Sequence, residues 1–418
     1  MTLPPAIIAA IQTDTKLPAE FVAVCDCGGR LTGTASELRA QALLRILGAE
    51  ATGVVPDIVP TPYEGWDLRS ASLALVTDGG PRPLECQPLL RSAATTPDGL
   101  EAEVVSVGRG TAEEFETARE ILPGRIALVR HEYMFAAGHI HRRLKYGWAC
   151  EAGAVGFLIA GPLPTRAVAG SSGRGQEPGI PALGISPEAA ARLTPLSGRA
   201  RARMQVDASD CAASTDAILF DIGHGEEVVV LSAHLDGHEP AESAIDNASG
   251  VACALAVARA LAPYADRFQR KLRLAFFSAE EWALTGSRVY LASLSEQERA
   301  RIVLNVNLDS VAGADRLTAL CSGSHELAAS VGRDTQAVGI PVSTYLPLMA
   351  NSDHANFAAH GIPALRLVAG FNDINSDIQH VLTAADTRDK VTEGSLRVAA
   401  LAAAAMVWSK LCGGSVEE

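Results

Sequence analysis

The clearest pattern in this sequence is a set of apolar runs that end in ionisable residues. Residues 228–231, VVVL, have the length and the β-branched side chains of a buried parallel strand, and His234 follows them. A polar segment then leads to Asp246 and to residues 251–261, whose small apolar side chains predict a helix. Ligands bind at the carboxyl ends of strands in open α/β sheets. His234 and Asp246 are therefore candidate site residues.

The same arrangement recurs further along the chain. Residues 272–278 predict a strand that runs into the adjacent carboxylates Glu280 and Glu281, and a later apolar run ends at Asp309. Strands and helices alternate over residues 210–418. This alternation predicts an α/β fold with a mostly parallel sheet and helices on both faces, so these side chains should share one edge of the sheet.

Residues 70–209 have a different, β-rich pattern. Strand-like runs flank a predicted helix at 139–151, and a Gly/Ser-rich loop precedes an Ile-Pro-Ala strand at 180–185. This order resembles the protease-associated (PA) domain that is often inserted in metallopeptidases. The resemblance implies a PA insert at 70–209 and a zinc-peptidase type domain made of residues 1–69 and 210–418.

The N-terminal segment bears on both location and fold. No positive charge precedes its short apolar run, so we do not expect a signal peptide. Residues 35–44 carry apolar side chains near the 3.6-residue period of a helix, which we expect to end at Gly48.

Composition narrows the choice of partners. A formal net charge of −13 argues against nucleic acid or an anionic membrane surface as partner. The apolar stretch at 398–408 is too short to cross a bilayer. Eight scattered cysteines show no disulfide-scaffold or zinc-finger spacing, and we expect a cytoplasmic protein. Homo-oligomer formation stays open.

The candidate residues have the chemistry of a zinc centre. Histidine and carboxylate are suitable zinc ligands, and two zinc ions held together need a carboxylate between them plus about two terminal ligands each. A further carboxylate must stay free of metal to accept a proton. The neighbours Glu280 and Glu281 can supply one base and one ligand.

The motifs themselves carry a second resemblance. HLD, AIDNASG, SAEEWALTGS, NLD, SDHANF and a late histidine before DTRDKV resemble the co-catalytic zinc aminopeptidase and glutamate carboxypeptidase family. The Asp353-His354 pair matches a motif that lines the site. The resemblance implies two zinc ions per chain, other divalent metals being possible. It implies that His234 and Asp309 are terminal ligands, one on each ion, that Asp246 bridges the ions, and that Glu281 and His380 complete the ligand set. It also implies that Glu280 is the general base and that the carboxylate of Asp236 orients His234.

The spacing of the late histidine and the polar residues between His234 and Asp246 both bear on these assignments. In the family the late histidine usually stands four residues before the aspartate of the Asp-Thr pair, whereas His380 stands six residues before Asp386. The segment between the first two ligands carries polar residues that we interpret as solvated loop residues: His238, Glu239 and Glu242.

The resemblance implies a di-zinc hydrolase that cleaves a peptide or amide bond. A hydroxide between the ions would attack the carbonyl, and Glu280 would pass a proton to the leaving nitrogen. An aminopeptidase-type exopeptidase needs an acid for the substrate ammonium, for which Asp373 or Asp377 is available. A carboxypeptidase needs a cation, and the candidates are Arg288, Arg316, Arg366 and Arg388.

Other functions remain open. An N-acyl amino acid amidohydrolase could use the same centre. A non-catalytic binding protein on the same scaffold, or a single-zinc glutaminyl cyclase relative, belongs to another class.

Overall fold

The fold is described from a computed structural model that covers residues 2–175, 177–194, 200–239 and 241–413. The strands are β1 (Asp57–Thr77), β2 (Gly80–Leu84), β3 (Cys86–Pro88), β4 (Leu100–Ser106), β5 (Ile126–Arg130), β6 (Gly156–Ala160), β7 (Ala182–Ile185), β8 (Arg201–Ile222), β9 (Val228–His234), β10 (Lys271–Phe277), β11 (Ile302–Leu308), β12 (Leu317–Leu320), β13 (Val342–Tyr345) and β14 (Ala364–Ala369). The helices are α1 (Pro5–Gln12), α2 (Lys16–Asp26), α3 (Ala35–Thr52), α4 (Ala112–Ala118), α5 (Arg142–Glu151), α6 (Pro187–Leu193), α7 (Ser249–Leu261), α8 (Thr285–Ser293), α9 (Glu296–Ala300), α10 (His325–Gln336), α11 (His354–Ala359) and α12 (Glu393–Cys412).

The chain divides into two compact units. The main unit comprises Met1–Tyr63, Ser214–Val381 and Ala385–Glu418, and the inserted unit comprises Glu64–Ala213 and Leu382–Ala384. The limits 70–209 for an independently folding domain remain a prediction.

The main unit is built on a sheet with the strand order β13-β12-β14-β11-β9-β10-β8. Strands β14, β11, β9 and β10 are parallel to their neighbours in this run, whereas β8 is antiparallel to β10 and β12 is antiparallel to β14. The predicted mostly parallel α/β sheet is confirmed. Because β9, β10 and β11 run in one direction, the residues that follow them lie at one edge.

Side chains alternate along β9, so its two faces have different neighbours. Val228 and Val230 belong to a buried cluster with Tyr290 of α8 and Phe357 of α11. Helices α7 and α12 also contact β9 and β11. Each fully buried valine or leucine contributes about 1.5–3 kcal/mol to folding. Helices therefore cover the sheet, and they leave its carboxyl edge for the site.

Two helical segments, Ala244–Arg267 and Glu393–Cys412, are long and apolar enough to cross a membrane by length and composition alone. About 67% and 72% of their most apolar windows are buried within the chain. Their apolar side chains are thus largely packed inside the main unit.

The inserted unit has its own sheet, in which β4, β5, β6 and β7 are parallel and β3 pairs antiparallel with β7. β1 and β2 form an antiparallel hairpin. Helix α5 connects β5 to β6, and α6 follows β7. A β-rich insert is confirmed.

Helix α3 shows one error of the sequence analysis. The helix does not end at Gly48 but continues to Thr52, and Gly53 ends it with a positive φ of 72°. A Cβ atom on Gly48 would lie 2.2 Å from Cζ of Phe220. The glycine therefore permits close packing of the helix on β8, and its position reflects tertiary contact rather than helix termination.

Candidate metal centre

Three of the predicted ligands meet at the carboxyl edge of the main sheet. Nε2 of His234, at the end of β9, lies 3.1 Å from Oδ1 of Asp246 and 3.6 Å from Oδ1 of Asp309, which follows β11. One donor atom from each residue lies within 4.8 Å of the others. The family resemblance implied that His234 and Asp309 bind different ions, whereas in the structure their donor atoms lie together.

The ring orientation of His234 is set by its other nitrogen. Nδ1 lies 3.1 Å from the backbone oxygen of Asp236 and 3.6 Å from Oδ1 of the same residue. Because a carbonyl oxygen can only accept a hydrogen bond, Nδ1 carries the proton. Nε2 therefore faces the carboxylate oxygens of Asp246 and Asp309. Asp236 therefore orients His234 through its backbone as well as its carboxylate.

Carboxylates surround His234. Burial opposes a charge on the imidazole, but the carboxylates of Glu280, Asp236, Asp246 and Asp309 outweigh burial and raise the pKa of His234 well above its ordinary value. A bound cation would offset this concentration of buried negative charge. Zinc takes imidazole and carboxylate ligands in this combination, so the residues present fit a zinc ion.

Asp309 is held by cationic and hydroxyl donors. Nη2 of Arg366 donates to its Oδ1 at 3.0 Å, Ser310 Oγ donates to the same oxygen at 3.0 Å, and Ser352 Oγ donates to Oδ2. Burial would raise the pKa of Asp309, but Arg366 and His234 together lower it. The sequence offered no signal that singles out Arg366, because its partner lies on a different strand end.

Asp246 is positioned through its backbone. Asp386 accepts hydrogen bonds from the backbone N–H of Ile245 at 2.7 Å and of Asp246 at 3.2 Å. The next residue, Asn247, donates to the Leu308 carbonyl at 2.8 Å. Asp386 and Asn247 thereby fix the loop that carries Asp246 against the end of β11.

Asp236 also organises the pair Glu280-Glu281. Its two carboxylate oxygens accept the backbone N–H groups of Glu280 and Glu281, each at 3.2 Å. Thr32 Oγ1 donates to Oδ2 of Asp236 at 2.9 Å. The carboxylate thus links the end of β9 to the segment after β10.

Glu280 is buried, and its pKa is raised well above its ordinary value. Burial is the main cause, and the carboxylates of Glu281, Asp309 and Asp353 add to it, whereas His234 opposes it. A carboxyl group in such surroundings can exchange a proton nearer to neutral pH than a surface glutamate.

Glu281 contacts a residue that the sequence analysis misjudged. Its Oε2 lies 2.6 Å from Nε2 of His238, and both side chains are 6% exposed. Glu242 accepts hydrogen bonds from the backbone N–H and from Nε of Arg388 at 2.8 and 2.9 Å. The interpretation of His238 as a solvated residue is therefore wrong, because its side chain is buried beside Glu281; Glu242 is partly exposed and Glu239 is exposed.

His380 ends the short turn Asp377–His380. Its Nε2 lies 3.6 Å from Oδ1 of Asp377. Among the described residues, His234, Asp246 and Asp309 form the group whose possible metal-binding atoms all lie within 4.8 Å of one another. His380 is not a member of this group.

Arg30 supports the site, and nothing in the sequence signalled this role. It is fully buried, and its guanidinium donates to the backbone carbonyls of Leu235 at 2.9 Å, Glu242 at 2.7 Å and Ser243 at 2.7 Å. These residues belong to the segment between His234 and Asp246. Arg30 therefore holds the segment from a position more than 200 residues away.

The Asp353-His354 pair is buried at the start of α11. Ser287 Oγ donates to Oδ1 of Asp353. Burial raises the pKa of Asp353 to about 7, and burial lowers the pKa of His354 to about 3. The pair thus contributes a carboxyl group and a neutral ring to the interior beside the centre.

A polar cavity of about 700 Å³ lies among the loops after β11 and β14. Asp373 and Asp377 line it, both exposed, as do Asp315, Arg316 and Lys390. Asp377 is the residue that faces His380. The two proposed ammonium-binding carboxylates therefore share one cavity.

Two family models match the chain. Residues 218–407 match the model described as peptidase family M28, and residues 98–193 match the model described as the PA domain. The first range contains all the predicted metal ligands. The second lies within the inserted unit.

Two named relatives are similar to large parts of this chain. The "Probable lipoprotein aminopeptidase LpqL" of Mycobacterium tuberculosis is 28% identical over 258 residues, which cover 61% of this chain and 50% of LpqL. Aminopeptidase YwaD of Bacillus subtilis is 26% identical over 353 residues, which cover 82% of this chain and 72% of YwaD. This chain thus spans about half the length of LpqL.

The structure of BSAP, a zinc aminopeptidase from Bacillus subtilis, superposes with a TM-score of 0.73 over 96% of each chain at 22% identity. This likeness establishes the fold. Fold and buried donor cluster together define the class of protein, a metallopeptidase. Within that class, residues 218–407 form a domain of peptidase family M28, and residues 98–193 form an inserted PA domain. The family and the PA insert predicted from the motifs are confirmed.

Proposed function

We propose that this chain is a zinc-dependent aminopeptidase that holds two zinc ions in its main unit. The observation that carries the proposal is the convergence of His234, Asp246 and Asp309 beside the buried carboxyl group of Glu280. The names of LpqL, YwaD and BSAP, all aminopeptidases, support the choice of reaction.

The donor geometry suggests how the ligands are shared. His234 and Asp309 would hold one ion, Asp246 would contact both, and Glu281 would belong to the second ion together with a histidine, predicted as His380. When bound, zinc supplies a Lewis acid that polarises the scissile carbonyl and makes water more acidic.

Glu280 would transfer the protons of the reaction. Its carboxylate accepts a proton as the water oxygen bonds to the carbonyl carbon, and it returns that proton to the nitrogen as the carbon–nitrogen bond breaks. Asp236 supports this role, because its oxygen holds the backbone N–H of Glu280.

The charges around the centre favour a substrate with a free N-terminus. Arg366 is paired with Asp309, and Arg388 is paired with Glu242 and with Asp26. Two of the four candidate cations for a substrate carboxylate are thus already engaged. A negative environment attracts the ammonium group of an N-terminal residue.

The test compares three substrates with the intact, zinc-loaded chain: a leucyl anilide, its N-acetylated form, and an N-blocked dipeptide with a free carboxylate. We expect cleavage of the leucyl anilide alone. Preference for the N-acetylated form would indicate an N-acyl amino acid amidohydrolase, and preference for the dipeptide a carboxypeptidase. No cleavage by a chain that carries its zinc would favour a binding protein.

A further inference from the structure

Side chains that ligate one ion must aim their donor atoms at one point, which brings those atoms within a few ångströms of each other. His234 Nε2 and Asp246 Oδ1, 3.1 Å apart, show this relation. His238 Nε2 and Glu281 Oε2 show it as well, at 2.6 Å and in an equally buried position. Glu281 is a predicted ligand of the second ion, so the imidazole of His238 beside it is a candidate ligand of the same ion.

His380 departs from the family spacing in this chain. It stands six residues before Asp386, and the position four residues before Asp386 is Leu382, a buried apolar residue that cannot ligate. The side chain of His380 lies 3.6 Å from Asp377, which is half exposed. The histidine with the altered spacing, His380, is thus the one that faces the exposed carboxylate of Asp377.

We infer that His238, rather than His380, supplies the imidazole ligand of the second zinc ion, together with Glu281 and Asp246. This inference rests on the proposed two-zinc function. It assigns a ligand to a residue that precedes the bridging aspartate by eight positions.

The backbone around His238 is fixed independently of its side chain. Its N–H donates to Ser243 Oγ at 2.9 Å, and that hydroxyl donates to the carbonyl of His238 at 3.2 Å. Arg30 holds the carbonyls of Leu235 and Ser243 on either side. The imidazole is therefore presented from a rigid segment, as a ligand with a fixed geometry requires.

The alternative role for His238 is to orient Glu281 by a hydrogen bond. Glutamine can hydrogen-bond but is a poor zinc ligand, whereas cysteine is a good one. His238→Gln and His238→Cys thus separate the two roles. His380→Gln tests the competing histidine, and His224→Gln, at an exposed position, is the matched control.

The experiment counts zinc per chain after chelation, reloading and removal of free metal, and records the spectrum of the cobalt-loaded chain. We expect two ions in the unmodified chain, in His380→Gln and in His224→Gln, and one ion in His238→Gln. His238→Cys should hold two cobalt ions and show a thiolate-to-cobalt charge-transfer band.

The outcomes keep this inference apart from the proposed function. Fewer than two ions in the unmodified chain would overturn the two-zinc function itself. Two ions in the unmodified chain and in His238→Gln, with one in His380→Gln, would overturn only the assignment of His238. Two cobalt ions in His238→Cys without the charge-transfer band would do the same, and this variant applies even if His238→Gln does not fold.

Discussion

The sheet edge of the main unit and the interior of the inserted unit differ in the ionisable side chains whose pKa values burial shifts. At the sheet edge of the main unit, burial raises the pKa of Asp386 to about 7 and raises that of Glu280 well above its ordinary value. In the inserted unit, burial lowers the pKa of His139 to about 4 and lowers that of Lys145. The main unit thus concentrates carboxylates, whereas the inserted unit holds imidazoles and a buried amine.

The difference separates a site from a packed polar interior. Lys145 Nζ donates to the carbonyl of Arg130 at 2.8 Å and lies 3.5 Å from Glu132, so the buried amine has partners within its own unit. The carboxylates around His234 are instead arranged about one imidazole and leave its Nε2 facing two oxygens. Only the second arrangement calls for an added cation.

The largest expected effect concerns the pair Glu280-Glu281. Glu280→Gln removes the proton acceptor but keeps nearly the same side-chain shape. The catalytic rate should therefore fall on the order of a hundredfold to ten-thousandfold, as for other positioned acid–base groups. Zinc content should not change, because Glu280 is assigned no metal. Glu281→Gln should lower zinc content and activity together. Near-normal turnover of Glu280→Gln would show that the base lies elsewhere.

The second prediction concerns Arg30, a buried cation of the main unit. Arg30→Met leaves backbone carbonyls of a buried segment without donors and should lower the free energy of unfolding by about 3–5 kcal/mol. Arg45→Met, which removes a partly exposed ion pair with Asp216, is the control and should cost less than about 1 kcal/mol. Urea unfolding of both variants measures the difference. Equal, small losses would mean that Arg30 does not hold the segment.

The third prediction is an acid sensitivity of the inserted unit. The folded pKa of His139 lies near 4, below its unfolded value, and burial also lowers the pKa values of His131 and His141. A lowered histidine pKa has no effect on stability above about pH 6.5 and weakens the fold as pH falls toward 4. For His139 the loss should reach about 3 kcal/mol.

Peptide-resolved hydrogen exchange of the intact chain, corrected for intrinsic rates, tests this prediction. Protection in residues 124–151 should decrease between pH 6.5 and 4, and His139→Gln should reduce that decrease. Unchanged protection over this range would show that these imidazoles are not buried in neutral form.

The smallest effects concern two helix glycines, one in each unit. Gly48→Ala places a methyl group against Phe220 and should destabilise the main unit by about 1–3 kcal/mol. Gly147→Ala in α5 meets no atom within 4 Å and should stabilise the inserted unit by about 0.5–1 kcal/mol. Thermal unfolding of both variants should show shifts of opposite sign. Shifts of the same sign would mean that the contact with Phe220 does not decide the position.

The predictable part of the site consists of residues at strand ends. His234 and Asp309 follow apolar runs that are visible in the sequence, and the parallel sheet brings such positions to one edge. The fold class was predictable for the same reason, because alternating strands and helices require a covered parallel sheet.

The rest of the site depends on contacts between distant residues. Arg30 holds carbonyls more than 200 positions away, and nothing in its own neighbourhood indicates this role. His238 lies in a polar loop, so local composition suggested solvent, whereas its position is set by Ser243 and Glu281. Gly48 carried a local signal for helix termination that close packing on Phe220 overrides.

We propose that the sheet edge of the main unit is a zinc centre on which catalysis depends. The most direct measurement titrates the chelator-treated intact chain with zinc while bound zinc and turnover of a leucyl anilide are followed together. We expect turnover to be absent without metal, to appear with zinc, and to level off at about two ions per chain, since the donors form two sites that share Asp246. Full turnover in the chelated chain, or saturation with one ion or none, would contradict the account.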